Sequence, residues 1–301
     1  MARVDLTSLP GWAEDDHAAA LTTYRESCAS DDAAWQVVLA DARQFFEDRF
    51  LAEAVSNDGH LTGYYEPELA GALHPDNYFS VPLHGVPEGW EAGDVFATRA
   101  EIADQDLLLG RELVWVADPL EAFLLQVQGS GRILLPDGTS RRLGYAGKNG
   151  QPYVSLGKLL VARGEIVADA VSVQAIRDWF AANGENAQQT LRENPSYVFF
   201  QWLEGLDPAK GPLGTMRKPL TAMRSIAVDL DVLPLGSLTY IIPSDESIGP
   251  RLCVAQDTGG AIKGEGRGDL FCGTGDAAGA LAGSLNTPMT MLRLVRRDRA
   301  T

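Results

Sequence analysis

Cysteine and histidine are scarce in this chain, and their scarcity excludes several kinds of site. The 301 residues include 3 cysteines and 4 histidines. Cys28, Cys253 and Cys272 form no CxxC pair, which excludes zinc ribbons and thioredoxin-type redox motifs. We expect buried free thiols rather than a disulfide. The histidines form no HExxH or other paired metal spacing, so neither a metal nor a cofactor is expected.

Basic residues and long apolar runs are also in short supply. There are 25 Lys and Arg against 41 Asp and Glu, which gives a net charge of −16. Such a chain repels nucleic-acid phosphates and anionic lipid surfaces, so no nucleic-acid partner is expected. No stretch approaches the roughly 20 apolar residues of a membrane helix. The opening MARVDLTSLPGW has no apolar signal core, so we expect a cytoplasmic protein or a targeting segment outside this sequence.

The hydrophobic pattern predicts a mainly β chain with helices at its start and in its middle. Apolar residues make up 45% of the sequence, which is enough for a sizeable core and two domains. Helical spacing of apolar residues favours helices over 13–28 and 31–54. Between 59 and 155 short apolar runs are separated by Gly, Pro, Asp and Asn, and FLLQVQ followed by GSG and RILL predicts a hairpin.

The second half continues with helices and then returns to strands. Ser155 and Ser172 are candidate N-caps for two helices that end at Gly164 and Gly184, and a short third helix is expected before Asn194-Pro195. SYVFFQWL has the pattern of a buried strand. After about residue 207 the sequence is again typical of strands, with one short helix expected in GDAAGALAGS.

The stretch DTGGAIKGEGRGDLFCGTG contains seven glycines in nineteen residues, together with Asp257, Lys263, Arg267 and Asp269. It matches neither a P-loop, which needs a hydroxyl residue after its lysine, nor a GxGxxG dinucleotide fingerprint. The glycines alone would suit tight turns and barrel corners. Acid–base groups inside the tract favour a second interpretation, in which a ligand lies close to the backbone and meets those groups.

Six segments resemble the membrane-bound lytic murein transglycosylase A family, and they occur in order over roughly residues 60–280. They are GYYEP (63–67), DPLEAFLLQVQGSGRILLPDG (118–138), YAGKNGQPYVSLGKLL (145–160), NPSYVFF (194–200), RSIAVDLDVLPLGS (224–237) and DTGGAIKGEGRGDLF (257–271). The last two resemble the family's three-aspartate ("3D") domain. The resemblance implies a double-psi β-barrel formed by 1–67 and 206–301, with N-terminal helices, and an inserted β-rich substrate-binding domain over 68–205.

The resemblance also implies a reaction. The family cleaves the β-1,4 bond between N-acetylmuramic acid and N-acetylglucosamine without water, because the muramyl O6 hydroxyl attacks C1 and forms a 1,6-anhydro sugar. One carboxyl group can serve as acid and then as base, unlike the two carboxyl groups of most glycosidases. Its pKa must be raised if it is to be protonated near neutral pH. By resemblance this group is Asp269, supported by Asp257 and Asp229; alternatively, those two only organise loops.

Further side chains are candidates for binding the sugar chain. Tyr64, Tyr65 and Tyr145 suit stacking on sugar faces, although Tyr64 and Tyr65 are neighbours in a strand and cannot both face one side. Core packing is the alternative for one of that pair. Polar candidates are Glu66, Gln126, Gln128, Ser130, Lys148, Asn149 and Lys263. Gln126 and Gln128 would share one strand face, and a solvated hairpin is the alternative for that segment.

The expected partner is a peptidoglycan glycan strand, with cell-wall-remodelling proteins as further partners of a monomeric enzyme. The family's setting implies the periplasm and cell envelope of a Gram-negative bacterium, with association to the outer membrane. Two other functions fit the same residues: a wall-glycan-binding module without catalysis, and a hydrolase that uses Asp269 with Asp257. A binding module would not need Asp269, and a hydrolase would release a reducing sugar.

Overall fold

The computed structural model describes residues 3–29, 31–207 and 210–297. Their strands are β1 (Arg3–Val4), β2 (Phe50–Glu66), β3 (Glu68–Ala72), β4 (Val81–His84), β5 (Glu112–Val116), β6 (Gly131–Leu134), β7 (Ser140–Lys148), β8 (Val198–Leu203), β9 (Ser225–Val228), β10 (Leu238–Pro243), β11 (Arg251–Asp257), β12 (Arg267–Thr274) and β13 (Asn286–Arg296). The α-helices are α1 (His17–Ser27), α2 (Ala42–Arg49), α3 (Arg99–Asp104), α4 (Pro119–Gln128), α5 (Leu156–Ala162), α6 (Val173–Leu191) and α7 (Asp276–Ser284). Four short 3₁₀ turns lie at Leu6–Ser8, Ala33–Gln36, Leu39–Asp41 and Ala168–Ala170.

The chain divides into two compact units. The first unit, the barrel unit, combines Met1–Tyr65 with Asp207–Thr301, and the second, the insert unit, is Glu66–Leu206. The boundaries expected from the sequence, at 67/68 and 205/206, lie beside this division. The catalytic and substrate-binding roles expected for the two parts stay predictions.

Six strands of the barrel unit close into a ring. The hydrogen-bonded order is β2-β12-β9-β11-β10-β13, and β13 pairs back onto β2, while β1 adds to the other side of β2. The ring is mixed, because β9 and β11 run parallel whereas β9 and β12 are antiparallel. Closure removes the free strand edges to which another chain would pair.

Strands β9, β10 and β11 are buried along nearly their whole length, which explains their nearly continuous apolar sequences. In β11 the alternate residues Leu252 and Val254 pack outward with the aromatic residues of α1 and α2. Cys253 and Ala255 point the other way and join the barrel interior. The strand period of two therefore separates one core inside the barrel from a second beneath the N-terminal helices.

The insert unit is built on a six-stranded sheet with helices packed against it. The strand order is β4-β5-β3-β6-β7-β8, in which β3 and β6 are parallel. One apolar cluster joins the sheet to α4 through Leu83, Val114, Leu125 and Phe200. A second cluster packs α4 against α5 and α6.

The helix predicted over 31–54 is wrong in its extent. The structure has two 3₁₀ turns followed by α2, which ends at Arg49, and β2 begins at Phe50. Residues 50–54 pair with the far end of β13, so that Phe50 lies opposite Arg296. Phe45, Phe46 and Phe50 pack in the core, whereas Trp35 is 48% exposed. Tertiary pairing has overridden a helical spacing that continued past the true end of the helix.

The hairpin predicted at FLLQVQ is also wrong, because this segment is α4. Asp118 caps the helix by accepting hydrogen bonds from the amides of Leu120 (2.7 Å) and Glu121 (3.4 Å). Pro119 occupies the first turn, and Gly129 ends the helix with a φ of 80°. Asp-Pro before and Gly after an apolar run are signals of a helix start and stop. They outweigh the short alternation that suggested a strand, and Gln126 and Gln128 therefore share no strand face.

Several other local predictions are confirmed. Ser155 caps α5 and Ser172 caps α6, whose regular geometry breaks at Gly184, with the final turns continuing to Leu191. SYVFFQWL contains β8, and GDAAGALAGS contains α7. The three cysteines are free thiols; Cys253 and Cys272 are buried, whereas Cys28 is half-buried. Across residues 3–29, 31–207 and 210–297, no helix has the length and hydropathy needed to span a membrane.

Candidate active site

Two of the three predicted aspartates are brought together by the pairing of β9 with its two neighbours. Asp269 on β12 lies opposite Ala227 of β9. Asp257 at the end of β11 lies opposite the same Ala227 from the other side, after a bulge. Two strand spacings then separate their Cα atoms by about 10 Å. Asp229 follows β9 directly, two residues beyond Ala227 and on the same strand face.

The carboxyl group of Asp269 is held by a neighbour from β2. Thr62 donates its hydroxyl to Oδ1 of Asp269 at 2.5 Å. Arg267 in turn donates from Nη2 to the Thr62 hydroxyl oxygen at 2.8 Å. Since that oxygen accepts from Arg267, its own hydrogen is directed at Oδ1. Among the described residues none donates to Oδ2 of Asp269, which leaves that oxygen for a proton.

Burial sets the acidity of Asp269. Desolvation raises the pKa of its carboxyl above the ordinary value of 3.8. The Thr62 hydrogen bond and the charge of Arg267 oppose this rise, and the negative charge of Asp257 adds to it. Burial also lowers the pKa of Arg267, although its guanidinium stays charged at neutral pH. A carboxyl with a raised pKa is suited to giving a proton and taking it back.

Asp257 is surrounded by hydrogen-bond donors. Its Oδ1 accepts from the Thr215 amide at 2.8 Å, the Thr215 hydroxyl at 2.9 Å and the Thr258 amide at 2.9 Å. Its Oδ2 accepts from the Tyr64 phenol at 2.9 Å. The charge of Asp257 raises the pKa of Asp269.

Asp229 is tied to the glycine-rich loop. Its Oδ2 accepts from the Gly264 amide at 2.8 Å, and its Oδ1 accepts from the ammonium of Lys263 at 2.9 Å. The Gly264 amide first, and then Lys263, lower the pKa of Asp229 below its usual range. The bond from the Gly264 amide is of the kind that the loop-organising alternative expects, and contact of Asp229 with substrate stays a prediction. Lys263, a predicted binding residue, has an exposed side chain whose end lies on Asp229.

The two adjacent tyrosines diverge as strand geometry requires. Tyr64 points to the carboxylates, and its ring lies 5.4 Å from that of Phe271. Burial raises the pKa of its phenol well above 10.0, and the charges of Asp257 and Asp269 add to the rise. Tyr65 is half-buried and packs against the barrel interior next to Gly279. Tyr65 therefore packs partly against the core, and its contact with sugar stays a prediction.

Three residues of this arrangement were absent from the predicted set: Thr62, Thr215 and Arg267. Thr62 and Tyr64 lie two residues apart on β2, so they share a face and meet Asp269 and Asp257 respectively. That spacing was the available signal for Thr62. Arg267 was visible as a charged residue within the glycine-rich tract. No local pattern identified Thr215, because its partner lies 42 residues away.

Three of the binding residues predicted in the insert unit are buried and act in its framework. Glu66 is 0% exposed and accepts from Arg142 at 2.5 and 3.0 Å. Asn149 is also 0% exposed; its amide donates to the carbonyls of Ala97 and Pro195, and its oxygen accepts from the Tyr197 amide. Gln126 is buried and accepts from Arg99. Glu66 and Asn149 have no exposed surface with which to contact a ligand directly, and Gln126 is 6% exposed.

The other predicted residues of the insert unit have surface available for a ligand. Tyr145 on β7 is 51% exposed, and Lys148 at the end of the same strand is exposed. Gln128 ends α4, and Ser130 lies between α4 and β6; both are partly exposed. Their contact with sugar stays a prediction. Within the described part of the chain, no group of three or more His, Cys, Asp or Glu side chains could hold a metal ion.

The closed barrel carries one carboxyl of raised pKa, that of Asp269, together with the hydrogen-bonded side chains of Asp257 and Asp229. Such an arrangement is suited to acid–base chemistry. The family model for the 3D domain matches residues 224–295, which contain all three aspartates. The model for the "MltA specific insert domain" matches residues 60–201. The two matches follow the division of the chain into barrel unit and insert unit.

Curated relatives carry one name. A membrane-bound lytic murein transglycosylase A of Escherichia coli (strain K12) is 36% identical over 256 residues, which cover 81% of this chain and 68% of that protein. The protein of the same name from Vibrio cholerae is 37% identical over 234 residues, covering 74% of this chain and 61% of the relative. The chain belongs to the membrane-bound lytic murein transglycosylase A family, which confirms the family prediction.

Solved structures extend the likeness over nearly the whole chain. MltA from Neisseria gonorrhoeae superposes with a TM-score of 0.85 at 30% identity, covering 98% of this chain and 92% of that one. A lytic transglycosylase of Burkholderia pseudomallei is 39% identical with a TM-score of 0.71, covering 99% and 95%. E. coli MltA with bound chitohexaose gives a TM-score of 0.80 at 28% identity, covering 99% and 92%. These likenesses confirm the predicted fold class, a mainly β chain with a barrel, an inserted β-rich part and N-terminal helices.

Proposed function

We propose that this chain is a lytic transglycosylase of peptidoglycan, in which Asp269 is the acid and then the base. It cleaves the β-1,4 bond between N-acetylmuramic acid and N-acetylglucosamine and leaves a 1,6-anhydro end. The observation that carries this proposal is the single Asp269 carboxyl, which has a raised pKa and one oxygen without a donor. The activity is the one named for the curated relatives.

Asp269 acts twice in the proposed reaction. The protonated carboxyl gives its proton to the glycosidic oxygen as the bond from that oxygen to C1 breaks. The muramyl O6 hydroxyl then attacks C1, forms the C1–O6 bond and returns its proton to the Asp269 carboxylate. No water is consumed and the residue ends in its starting state. Proton transfer by one well-placed group typically supplies about 10²–10⁴-fold in rate.

The neighbouring groups fix the geometry and charge for this reaction. Thr62 holds Oδ1, so that the proton resides on Oδ2. The negative charge of Asp257 favours the protonated form of Asp269 before the reaction and stabilises the positive charge that develops at C1. Both oxygens of Asp257 are engaged by donors, which disfavours a second role as base for an attacking water. The one-carboxylate reaction is therefore better supported than hydrolysis.

The substrate is a glycan strand, in agreement with the chitohexaose bound by the E. coli neighbour. Tyr145, Lys148, Gln128 and Ser130 are the exposed side chains proposed to bind it. We place the enzyme in the cell envelope, on the periplasmic side, because the curated relatives are named as membrane-bound and act on murein. The monomeric state and the wall-remodelling partners stay predictions.

The products of sacculus digestion test this function. Soluble muropeptides are separated and weighed before and after reduction with borohydride, which reacts with reducing sugars but not with anhydro ends. We expect products that resist reduction. Reducible ends would show that the chain is a hydrolase, and sacculi bound without soluble products would show a binding module.

Replacing Thr62 with Val should extend activity toward higher pH. The change removes the hydrogen bond that lowers the Asp269 pKa, so that pKa rises further. Because the reaction begins with the protonated carboxyl, kcat/KM falls as pH rises through this pKa, and the falling limb moves upward. The control is Thr287→Val on β13, whose hydroxyl donates to the Pro288 carbonyl. A falling limb at the same pH in the Thr62 variant would refute the role of Thr62.

Replacing Asp257 with Asn should move the falling limb of the kcat/KM–pH profile to lower pH, opposite to the shift expected for Thr62→Val. Asp257 raises the pKa of Asp269 by its charge, so the neutral amide lowers that pKa. The falling limb of kcat/KM then moves to lower pH, and activity at neutral pH falls even though Asp269 is intact. The pH profiles of the two variants, measured together, check both signs. An Asp257→Asn profile displaced upward would contradict the charge effect.

A further inference from the structure

The insert unit contains a cavity of about 420 Å³ that the proposed reaction does not use. Its apolar wall includes Val81, Leu108 and Ala122, and its polar lining includes Arg99, Gln126 and Tyr197. The volume is within the range of pockets that hold small molecules. All of the lining residues belong to the insert unit, which makes this cavity separate from the aspartates on the barrel.

Arg99 is the unusual group in this cavity. Its guanidinium lies between two aromatic rings, 4.9 Å from the centre of Phe123 and 5.0 Å from that of Tyr197. Its Nε donates to the Asn194 carbonyl, and its Nη2 donates to the Gln126 side chain and the Ser196 carbonyl. All of these acceptors are neutral. In the described part of the chain no carboxylate pairs with Arg99, and Nη1 donates to no protein acceptor.

Arg99 is a partly exposed cation, and its described contacts include no anionic partner. Burial lowers the pKa of Arg99 to about 10, and the ionisable groups that oppose this effect are the phenols of Tyr197 and Tyr153. At neutral pH the guanidinium is still charged. A charge that is partly withdrawn from water is stabilised by a partner of opposite sign. An anion in the cavity would supply the missing partner.

The other charged groups in the lining are accounted for. Arg192 is paired with Asp104. Asp106 and Glu112 also line the cavity, but neither contributes to the pKa of Arg99. His84 is buried, and desolvation lowers its pKa to about 4, so it is neutral at pH 7. One positive group therefore faces an apolar wall, with acidic groups elsewhere in the lining that oppose a highly charged anion such as phosphate.

We infer that this cavity binds a small organic monocarboxylate, with its carboxylate on Nη1 of Arg99 and its apolar body against Val81, Leu108 and Ala122. The two N–H groups of Nη1 match the oxygens of a carboxylate, and charge-assisted bonds of this kind are among the stronger hydrogen bonds in proteins. The inference does not depend on the reaction proposed for Asp269.

Isothermal titration of the full chain tests the inference. The probe is isovalerate, and isovaleramide has nearly the same shape without the charge. We expect isovalerate to bind about tenfold more tightly than the amide or better, since the amide leaves Arg99 without a counter-ion. Equal affinity for both, or no binding of isovalerate up to about 50 mM in salt-matched buffer, would overturn the proposal.

Two variants locate the site without removing Arg99, which also holds the Asn194 and Ser196 carbonyls. Ala103 lies in the cavity lining on an exposed part of α3, so Ala103→Trp should block the cavity and abolish isovalerate binding while the chain stays folded. Ala182→Trp is the control, because Ala182 is exposed on α6 outside the lining. Isovalerate binding that survives in the Ala103 variant would place the ligand elsewhere and overturn the assignment.

Discussion

Asp269→Asn is expected to lower the rate of transglycosylation by about 10²–10⁴-fold or more, because one group carries both proton transfers. The substitution keeps an oxygen that can accept from Thr62, so the local geometry is preserved while the exchangeable carboxyl proton is lost. Release of soluble muropeptides from sacculi measures the effect. Asp231→Asn, at an exposed position two residues after Asp229, is the matched control and should retain wild-type activity. An Asp269→Asn enzyme as active as the control would contradict the account.

The same variant should be more stable than the wild type at neutral pH. Because burial raises the pKa of Asp269 above its unfolded value, the folded state binds the proton more tightly than the unfolded state does. The stability that protonation contributes is therefore present at low pH and is lost as pH rises through the folded pKa. Asn avoids this loss. The difference in Tm should vanish below about pH 3.9, where the wild-type carboxyl is protonated in both states.

Arg142→Leu is expected to destabilise the insert unit by about 3–5 kcal/mol. Glu66 is 0% exposed, and its contacts with Arg142 at 2.5 and 3.0 Å are the shortest ion-pair contacts it makes. Arg132 is the second cation near it, at 3.4 Å. Removing Arg142 takes away the nearer of the two cations described for this buried carboxylate. Urea denaturation followed by the fluorescence of the tryptophans measures the change in the free energy of unfolding.

Arg141 offers the matched comparison, since it is the adjacent residue on the same strand. Its partner Glu204 lies 2.6 Å away and is 74% exposed. Exposed ion pairs typically contribute about 0–1 kcal/mol to the free energy of unfolding. Arg141→Leu should therefore have a small effect. If the Arg142 variant were as stable as the Arg141 variant, Glu66 would not be a structural anchor, and its predicted role in binding substrate would regain support.

The strand content could be predicted because it depends on local sequence, as in the apolar runs of β9, β10 and β11. Asp269 was named from the resemblance of its segment to the 3D domain, and its role stays a prediction. The site's hydrogen bonds could not be predicted in this way. Thr62 and Asp269 are 207 residues apart, and their contact depends on the closure of the barrel. The role of Glu66 was missed for the same reason, since its partner Arg142 lies 76 residues away.

The two segments predicted wrongly are α4 and residues 50–54. The first error has a local cause, and the second has a non-local cause. At α4 the Asp-Pro start and the glycine stop were present in the sequence, and the prediction gave more weight to a short alternation. At residues 50–54 the local spacing favours a helix, and only pairing with β13 makes the segment a strand. The first error was avoidable from the sequence, whereas the second required knowledge of the tertiary partner.

Digestion of sacculi in water labelled with heavy oxygen tests the central claim most directly. Transglycosylation breaks the glycosidic bond with the substrate's own O6 hydroxyl, so the account predicts anhydro-muropeptides that contain no label. Hydrolysis would place one labelled oxygen on each new C1. Labelled products from the wild-type enzyme would show that water is the nucleophile, and would contradict the role proposed for a single Asp269.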